Sequence, residues 1–558
     1  MDRSEPAYEI GLVMAGAVSA GAYTAGVADF LIEALDAWER ARADRDPLAP
    51  AHRVRLRAMA GASAGAMTAA MVAGIAAGRP HRPVSGLADP GVAASHNVLF
   101  DSWVNRVDAD HLLATDDLEH TGDARLFSLL NGRVLDDIAR QALPSGVGTG
   151  RRPWIAGDLR LAFAVTNLRG VPYNVGFGDH SHAPEPRPGH SMRKHADLLR
   201  FRLGDAAVAA PADLVTLDWQ MQGEGWSQLR NAALASGAFP LLLPPRALAR
   251  PGSDYDARLW AMPARGEVGG GEPCLRYQPL PPHWGAAGTP MHFDFLAVDG
   301  GVLDNEPFAA GRDLLVGVPP MPASGDVLGR ALLSIDPFPD VLGYRPDEPQ
   351  PGGLLDTALA LIAAMRNQTR FKPDELVTAF DDPYASRQLI APSRRIGEGA
   401  RMDHPLAGGA VDGFAGFLDR GFRLHDFMLG RANCQRFVQR HFRLPATHPL
   451  FRGWHAAQRA AFDDGSGTLP VIPLLAQAAD PLAAPPWPRI APERLAQVKA
   501  LMRTRVRALM PVAIDHLLAR STPPMRWLTR VLASFQSKGW VNALADHMAG
   551  ELRRRDQL

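Results

Sequence analysis

The sequence has few of the residues that build disulfide frameworks and metal sites. It contains two cysteines in 558 residues, and Cys274 and Cys434 match no metal-ligand spacing. Because two cysteines cannot form a disulfide framework, a reducing compartment is the simpler prediction. We find no spacing of His, Cys, Asp or Glu that predicts a metal ion, and no motif that requires a cofactor.

An excess of charge of either sign is also absent. Basic and acidic residues number 59 each, and only four of the basic residues are lysines. With no net charge, the chain generates no global field that would draw it to nucleic acid or to anionic lipid. The first residues carry charges of both signs and lack the basic-then-apolar order of a signal peptide, so the sequence predicts a cytoplasmic protein.

Long apolar runs are few. Two uncharged stretches, Ile10 to Ala28 and Ala58 to Gly78, are long enough to span a bilayer. Both are dominated by Gly, Ala, Ser and Thr and are poor in the Leu, Ile and Phe that favour insertion. The sequence therefore favours buried segments of an α/β protein over transmembrane helices.

Apolar strand patterns alternate with glycine turns and helical patterns in the first part of the chain. The predicted buried strands are Tyr8 to Met14, Val54 to Ala60, Leu159 to Val165, Phe293 to Val298 and Ala331 to Ile335. This alternation predicts an α/β fold with a mostly parallel central sheet covered on both faces. Two Pro/Gly-rich insertions, Asp179 to Met192 and Pro244 to Pro273, are interpreted as surface loops or a lid.

The strand patterns fade after about residue 345. A linker at Pro346 to Gly353 introduces four helical patterns: Leu354 to Phe371, Val411 to His441, Pro492 to Arg520 and Arg526 to Arg555. We therefore predict a domain over residues 1–345, with its core at about 8–340, and a helical C-terminal region over 346–558. The last helix interleaves apolar and basic residues, so it is predicted either to pack on the main domain or to lie on a membrane surface.

The pentapeptide Gly61-Ala62-Ser63-Ala64-Gly65 lies between a strand pattern and a helix pattern. Gly61 and Gly65 allow the backbone to reverse sharply, which leaves the Ser63 hydroxyl at the start of a helix. Free N–H groups and the helix dipole favour developing negative charge there. This context predicts a nucleophilic serine, and the alternative is a small residue packed beneath a helix.

A nucleophilic serine needs a base and donors for an oxyanion. Asp299-Gly300-Gly301 directly follows a predicted strand, so Asp299 is placed where catalytic groups of α/β sheets collect and could accept the Ser63 proton. The turn from Gly16 to Gly21 also follows a strand and presents consecutive backbone N–H groups. We predict that the amides of its first four residues, Gly16, Ala17, Val18 and Ser19, hold the oxyanion.

Other interpretations of these residues stay open. Asp299 can close an Asx turn, and the Gly16 to Gly21 turn can bind a nucleotide, although Val18 replaces the middle glycine of that motif. An α/β-hydrolase triad would need a histidine after Ser63, and His425 is the candidate. Four further histidines, His180, His182, His190 and His195, lie near one Pro-rich segment without metal-ligand spacing, and a solvated loop explains them better.

In this order, the glycine turn, the serine pentapeptide and the Asp-Gly-Gly motif resemble the patatin-like phospholipases. Two further segments match the family: Ala235-Ser236-Gly237-Ala238-Phe239-Pro240 and Asp304-Asn305-Glu306-Pro307. The resemblance covers about residues 8–340. It implies a three-layer patatin-like fold and a histidine-free dyad of Ser63 and Asp299 that hydrolyses acyl esters of lipids without a cofactor. The implied partner is a lipid or acyl-ester substrate.

The glycine turn departs from the family pattern. The family usually shows G-G-G-x-[RK]-G, whereas this chain has Gly16-Ala17-Val18-Ser19-Ala20-Gly21. The backbone donors survive these changes, but Val18 cannot adopt a positive φ without strain, so the loop is expected to be strained or differently bent. Two alternatives follow: a catalytically weakened scaffold, or a thioesterase or acyltransferase that uses the same dyad.

Overall fold

The fold is described from a computed structural model. It describes residues 5–86, 96–118, 128–175, 190–205, 213–265, 273–318, 326–339, 352–353, 386–395, 400–517 and 523–558, with five further positions between 357 and 365. Most of the predicted Asp179 to Met192 insertion lies outside these residues, as do His180 and His182. The same holds for most of the predicted Pro346 to Gly353 linker and of the Leu354 to Phe371 helix.

Thirteen strands are described. They are β1 (Ala7–Met14), β2 (Arg53–Gly61), β3 (Ile155–Val175), β4 (His190–Gly204), β5 (Leu214–Leu217), β6 (Arg246–Arg250), β7 (Leu259–Arg265), β8 (Pro273–Pro279), β9 (Phe293–Asp299), β10 (Val327–Ile335), β11 (Ser386–Ile390), β12 (Arg443–Pro445) and β13 (Thr468–Pro470). The five strands predicted from the sequence all form, with bounds that differ by a few residues or, for β3, by more.

The helices lie between and after these strands. They are α1 (Gly21–Ala43), α2 (Ala64–Ala76), α3 (Val98–Phe100), α4 (Ala109–Leu112), α5 (Arg133–Ala142), α6 (Glu224–Ser236), α7 (Phe308–Val316), α8 (Arg420–Arg440), α9 (Ala456–Phe462), α10 (Pro492–Leu517) and α11 (Pro523–Arg554). Short 3₁₀ turns at Val18–Ala20, Gly300–Val302 and Ala415–Phe417 join some of them. A π-helical turn, Asp101–Arg106, follows α3.

Nine strands form the central sheet, in the order β11-β10-β1-β2-β3-β4-β5, with β9 paired to β3 and β6. The strands from β11 to β3 run parallel, so their carboxyl ends meet at one edge. β4 and β9 run antiparallel to β3. The predicted α/β class with a mostly parallel sheet is confirmed.

Helices cover the sheet on both faces. α7 packs on one face, where Val13 and Ala60 meet Ala310 and Leu314. α1 and α2 pack on the other face against the alternate residues of β1, including Ile10 and Leu12. Because successive strand residues point to opposite faces, the fully buried strand β1 serves both layers. The result is three layers, helix, sheet and helix.

The apolar character of α1 is explained by its position between the sheet and α8. In the described part of the chain, one helix, Val18–Ala43, is long and apolar enough to cross a membrane. In its most apolar window, 94% is buried inside the protein. The other uncharged stretch, Ala58 to Gly78, divides into the end of β2 and the helix α2. Both stretches thus form parts of the core, as the sequence favours.

The region after residue 345 is largely helical, as predicted, but it also supplies β11 at the edge of the central sheet. The α8 helix packs along α1, so the two regions share a core. The domain boundary at 345 stays a prediction. In α11 a stripe of residues that includes Val541, Met548 and Leu552 is buried, while Trp540 is exposed. Membrane contact by this helix also stays a prediction.

The sequence interpretation of Pro244 to Pro273 was wrong. In place of a surface loop or lid, β6 pairs with β9 in the central sheet, and β7 pairs with β8 as a separate two-stranded sheet. The proline-rich composition concealed these strands, because edge positions tolerate proline and their pairing partners lie further along the chain.

Candidate active site

Ser63 lies on a tight turn between β2 and α2. Its backbone has φ 51° and ψ −125°, a combination that costs energy in a residue with a side chain. Gly65 permits this turn, since a Cβ at that position would lie 2.0 Å from the backbone oxygen of Met14 in β1. The neighbouring strand therefore approaches the start of α2 closely, and the strained turn holds the hydroxyl at the carboxyl edge of the sheet.

Asp299 is the last residue of β9, and its side chain is almost completely buried. One carboxylate oxygen, Oδ1, accepts a hydrogen bond from the backbone N–H of Gly301 at 2.7 Å. The Asp299 backbone N–H donates to the oxygen of Ala238, and its carbonyl accepts from the Thr166 hydroxyl. These contacts fix the carboxylate and leave Oδ2 directed toward α2.

The two predicted dyad residues meet, although 236 positions separate them along the chain. Ser63 Oγ lies 2.6 Å from Asp299 Oδ2, within hydrogen-bonding distance, so the hydroxyl donates directly to the carboxylate. This is the geometry that a base requires to accept the serine proton without a histidine between them. The catalytic role of the pair stays a prediction.

The loop from Gly16 to Ser19 faces this pair, but its four amides are not equivalent. The Gly16 N–H donates to the backbone oxygen of Asn305, and the Ser19 N–H donates to that of Gly413. The N–H groups of Ala17 and Val18 have no hydrogen-bond partner among the described residues. Val18 also lines the cavity that contains Ser63. The geometry thus reduces the predicted oxyanion donors from four to two.

Val18 does adopt a positive φ, 50°, so the loop is strained in the way that the sequence predicts. A second strained segment faces it, in which Val411, Asp412 and Gly413 all have positive φ. The Gly413 oxygen accepts hydrogen bonds from both the N–H and the hydroxyl of Ser19. The C-terminal region therefore contributes directly to the shape of the loop.

Two residues of the matched motifs have positional roles that sequence reasoning did not assign. Ser236 accepts the Ser63 N–H at 2.9 Å and donates its hydroxyl to the Ala164 oxygen at 2.6 Å, which ties the serine turn to β3. Asn305 packs on Gly16, where a Cβ would lie only 2.4 Å from its Oδ1. The sequence signal that could have indicated these roles is that both residues lie in segments that match the patatin-like family.

The Ser63 hydroxyl opens into a mostly apolar cavity with an empty volume of about 940 Å³, part of it open to solvent. Along α2 the cavity is lined by Ser63, Met67, Ala70 and Met71, which lie on one side of the helix. Its other walls include α5, α6, the segment 239–243, the π-helical turn and the C-terminal region, which contributes Phe414 and Phe417. Sequence reasoning missed this cavity, because its walls come from segments far apart in the chain.

His425 is engaged away from Ser63. Its Nδ1 lies 2.9 Å from Asp426, and its Nε2 accepts from the guanidinium of Arg394 at 2.7 Å. The ring is buried and packs edge-on against Trp487. With both nitrogens occupied, His425 has a structural position, and the Ser63 hydroxyl donates to Asp299 in its place.

The solvated-loop interpretation was wrong for His190 and His195, because both lie in β4. His190 begins β4, and His195 Nδ1 lies 2.7 Å from the backbone oxygen of Asn167 within the same sheet. The described part of the chain brings no three His, Cys, Asp or Glu side chains together in a group that could hold a metal ion.

Comparison with known proteins gives one strong relative. The chain is 34% identical to the uncharacterized protein y4iI of Sinorhizobium fredii over 573 aligned positions, which cover 94% of this chain and 78% of the relative. The chain belongs to the same family as y4iI. Since that relative is itself uncharacterized, membership of the y4iI family assigns no reaction.

The remaining comparisons add little. No protein-family model matches the chain. Among solved structures, VipD from Legionella pneumophila aligns over 96% of this chain and 88% of its own, at 12% identity and a TM-score of 0.20. That score supports no conclusion about fold or function. The fold class of this y4iI relative therefore rests on its own sheet topology.

Proposed function

We propose that this protein is a serine acyl hydrolase that acts on lipid acyl esters, in the manner of a phospholipase A. The observation that carries the proposal is the 2.6 Å contact between Ser63 Oγ and Asp299 Oδ2 at an apolar cavity. A hydroxyl on a strained turn, bound to a buried carboxylate, is the arrangement expected of an activated nucleophile. The resemblance of the surrounding motifs to patatin-like phospholipases supports the same reaction.

In the first half of the proposed reaction, Ser63 Oγ attacks the acyl carbonyl carbon as its proton moves to Asp299 Oδ2. The tetrahedral intermediate then collapses, the ester C–O bond breaks, and the leaving alcohol takes the proton from Asp299. In the second half Asp299 removes a proton from water, which attacks the acyl-serine. The fatty acid leaves, and the proton returns to Ser63 Oγ.

The oxyanion formed in each half needs donors that are already in place. The free N–H groups of Ala17 and Val18 follow Gly16, where a Cβ would lie 3.1 Å from that of Ser63, so they belong to the loop beside the nucleophile. The start of α2 at Ala64 adds the positive end of a helix dipole. Each well-placed donor contributes about 10² to 10³ to the rate. The positive φ of Val18 also supports this role. Strained backbone conformations of this kind are concentrated at active sites, where the surrounding contacts hold them.

The cavity supports a long apolar acyl group as the substrate portion. Apolar side chains dominate its lining, and burying an acyl chain against them is favourable by about 0.8 kcal/mol per methylene group. A thioesterase or an acyltransferase would use the same dyad and the same cavity. These reactions differ from ester hydrolysis in the leaving group or in the acceptor that replaces water.

A fluorophosphonate probe tests the proposal. We expect covalent labelling of Ser63, identified by mass spectrometry of the modified peptide, and hydrolysis of p-nitrophenyl esters by the same preparation. Ser63→Ala is expected to lose both. The matched control is Ser253→Ala, which removes a serine from a 3₁₀ turn outside the site and should leave both unchanged. Equal ester hydrolysis by the wild type and Ser63→Ala would contradict the proposed hydrolase and favour a non-catalytic scaffold protein.

Ala70→Phe is predicted to shorten the accepted acyl chain. Ala70 lines the cavity seven residues after Ser63, so it lies about 10 Å farther along α2. A phenyl group there would fill the space that a long chain occupies but would leave room near Ser63. We expect kcat/KM for dodecanoyl esters to fall about tenfold or more. The value for butanoyl esters should stay close to that of the wild type.

The chain-length profile of p-nitrophenyl esters is the measurement, and butanoyl hydrolysis is its internal control. A uniform loss on all chain lengths would mean that the substitution disturbs the dyad. An unchanged profile would mean that the acyl chain lies elsewhere.

A further inference from the structure

A second cavity lies between the end of β11 and the last turns of α8, with an empty volume of about 1300 Å³. Four arginines line it: Arg395, Arg401, Arg436 and Arg440. We name it the arginine pocket after these four residues. His441, Asn433 and Phe437 complete the α8 side, and no acidic residue is found in the described lining. The cavity is therefore surrounded by positive charge.

The four guanidinium groups, two of them on α8, differ from the remaining arginines of that helix. Arg431 is bound by two carboxylates, Arg423 donates to two backbone oxygens, and Arg420 donates to Asn105. Among the described residues, the guanidinium groups of the pocket have neither a hydrogen bond nor an ion pair. Their donors are available to a ligand.

The arrangement places like charges next to each other. Arg436 and Arg440 are four residues apart on one helix face, where like charges repel. Arg395 and Arg401 face each other across an antiparallel backbone bridge, where like charges are also unfavourable. Both pairs line one cavity. An anion between them would relieve both repulsions.

From these observations we propose that the arginine pocket binds phosphate groups. A guanidinium offers a planar pair of donors that matches two phosphate oxygens, and four such groups suit a ligand with more than one negative charge. The source is either a phosphorylated lipid headgroup or a free phosphate compound, and the chemistry of recognition is the same. The proposal stands independently of the hydrolase reaction.

The end of the arginine pocket that β11 forms lies at the same edge of the sheet as Ser63. Gly61 pairs with Met14, Met14 with Ile335, and Ile335 with Ile390, so the ends of β2 and β11 are in register. Three interstrand steps separate them, a distance of about 14 Å. An anionic group held at the β11 end of the pocket would thus lie along the same sheet edge as Ser63.

The test is a binding measurement with two probes. Isothermal titration calorimetry with inorganic pyrophosphate measures the free-phosphate arm. Sedimentation with phosphatidylcholine vesicles, with and without phosphatidic acid, measures the lipid arm. The test variant is the double substitution Arg436→Gln and Arg440→Gln. The control is Arg45→Gln with Arg489→Gln, which removes the same charge from exposed positions elsewhere.

We expect the pocket variant to bind pyrophosphate, or vesicles with phosphatidic acid, about tenfold more weakly or worse, while the control binds as the wild type does. Loss of pyrophosphate binding alone assigns the pocket to free phosphate compounds. Loss of binding to vesicles that contain phosphatidic acid assigns it to lipid headgroups. Equal binding of both probes by all three proteins would overturn the proposal, as would a wild type that binds neither probe.

Folding is checked separately. Both arginines are partly exposed and unpaired, so the Gln variants are expected to unfold at the wild-type temperature. If they do not fold, the variants Arg436→Lys and Arg440→Lys keep the charge and remove the planar donor pair. Weaker pyrophosphate or vesicle binding by this folded Lys variant would support the proposal, and unchanged binding would contradict it.

Discussion

Replacing Asp299 with Asn is expected to lower kcat/KM on acyl esters by about 10² to 10⁴, the usual contribution of a general base. The substitution keeps the shape of the side chain and leaves an oxygen to accept the Gly301 N–H. It removes the carboxylate that accepts the Ser63 proton at 2.6 Å. His425 does not replace it, because both nitrogens of that ring have other partners.

Ester hydrolysis and the rate of fluorophosphonate labelling are the two measurements. The matched control is Asp294→Asn, an exposed carboxylate on the same strand, which should retain wild-type values for both. The thermal unfolding of Asp299→Asn shows whether the protein stays folded. A folded Asp299→Asn variant with more than half of the wild-type activity would contradict the dyad, whatever the outcome for Ser63→Ala.

Replacing Arg431 with Met is expected to lower the free energy of unfolding by about 3 to 5 kcal/mol. Arg431 is completely buried between α8 and α1, where its guanidinium binds Asp29 and lies 2.5 Å from Glu33 Oε2. Burial alone would raise the pKa of Asp29, but Arg431 and His81 outweigh it and lower that pKa. Met fills a similar volume but leaves two carboxylates buried without this cation.

Urea unfolding followed by circular dichroism measures the change. Arg489→Met is the matched control: it breaks an ion pair with Asp556 that is exposed at the surface, where solvent screens the charges, so little change is expected. Arg431→Lys keeps the charge and should recover part of the loss. If Arg431→Met and Arg489→Met unfold at the same urea concentration, the buried ion pair does not hold α8 onto α1.

Local patterns in the sequence predicted the elements that carry the candidate site. A run of apolar residues followed by glycines and a helical period specifies strand, turn and helix within about 25 residues, as in β2, Ser63 and α2. The same reasoning placed Asp299 at the end of β9. Because parallel strands end at a common edge, the sequence indicated one edge of the sheet for both Ser63 and Asp299. In the fold β9 runs antiparallel to β3, and the register that pairs Asp299 with Val165 brings the carboxylate to Ser63.

Tertiary structure decided the rest. Which amides of the glycine turn stay free depends on Asn305 and Gly413, hundreds of residues away, and no local pattern specifies those partners. The apolar cavity and the arginine pocket are each lined by segments distant in sequence. The sequence by itself determined a serine on a tight turn and an aspartate at a strand end. The packing of β11, α8 and the strained segment at Val411 decided which donors and cavities surround them. These contacts join residues far apart in the chain, so no local sequence pattern specifies them.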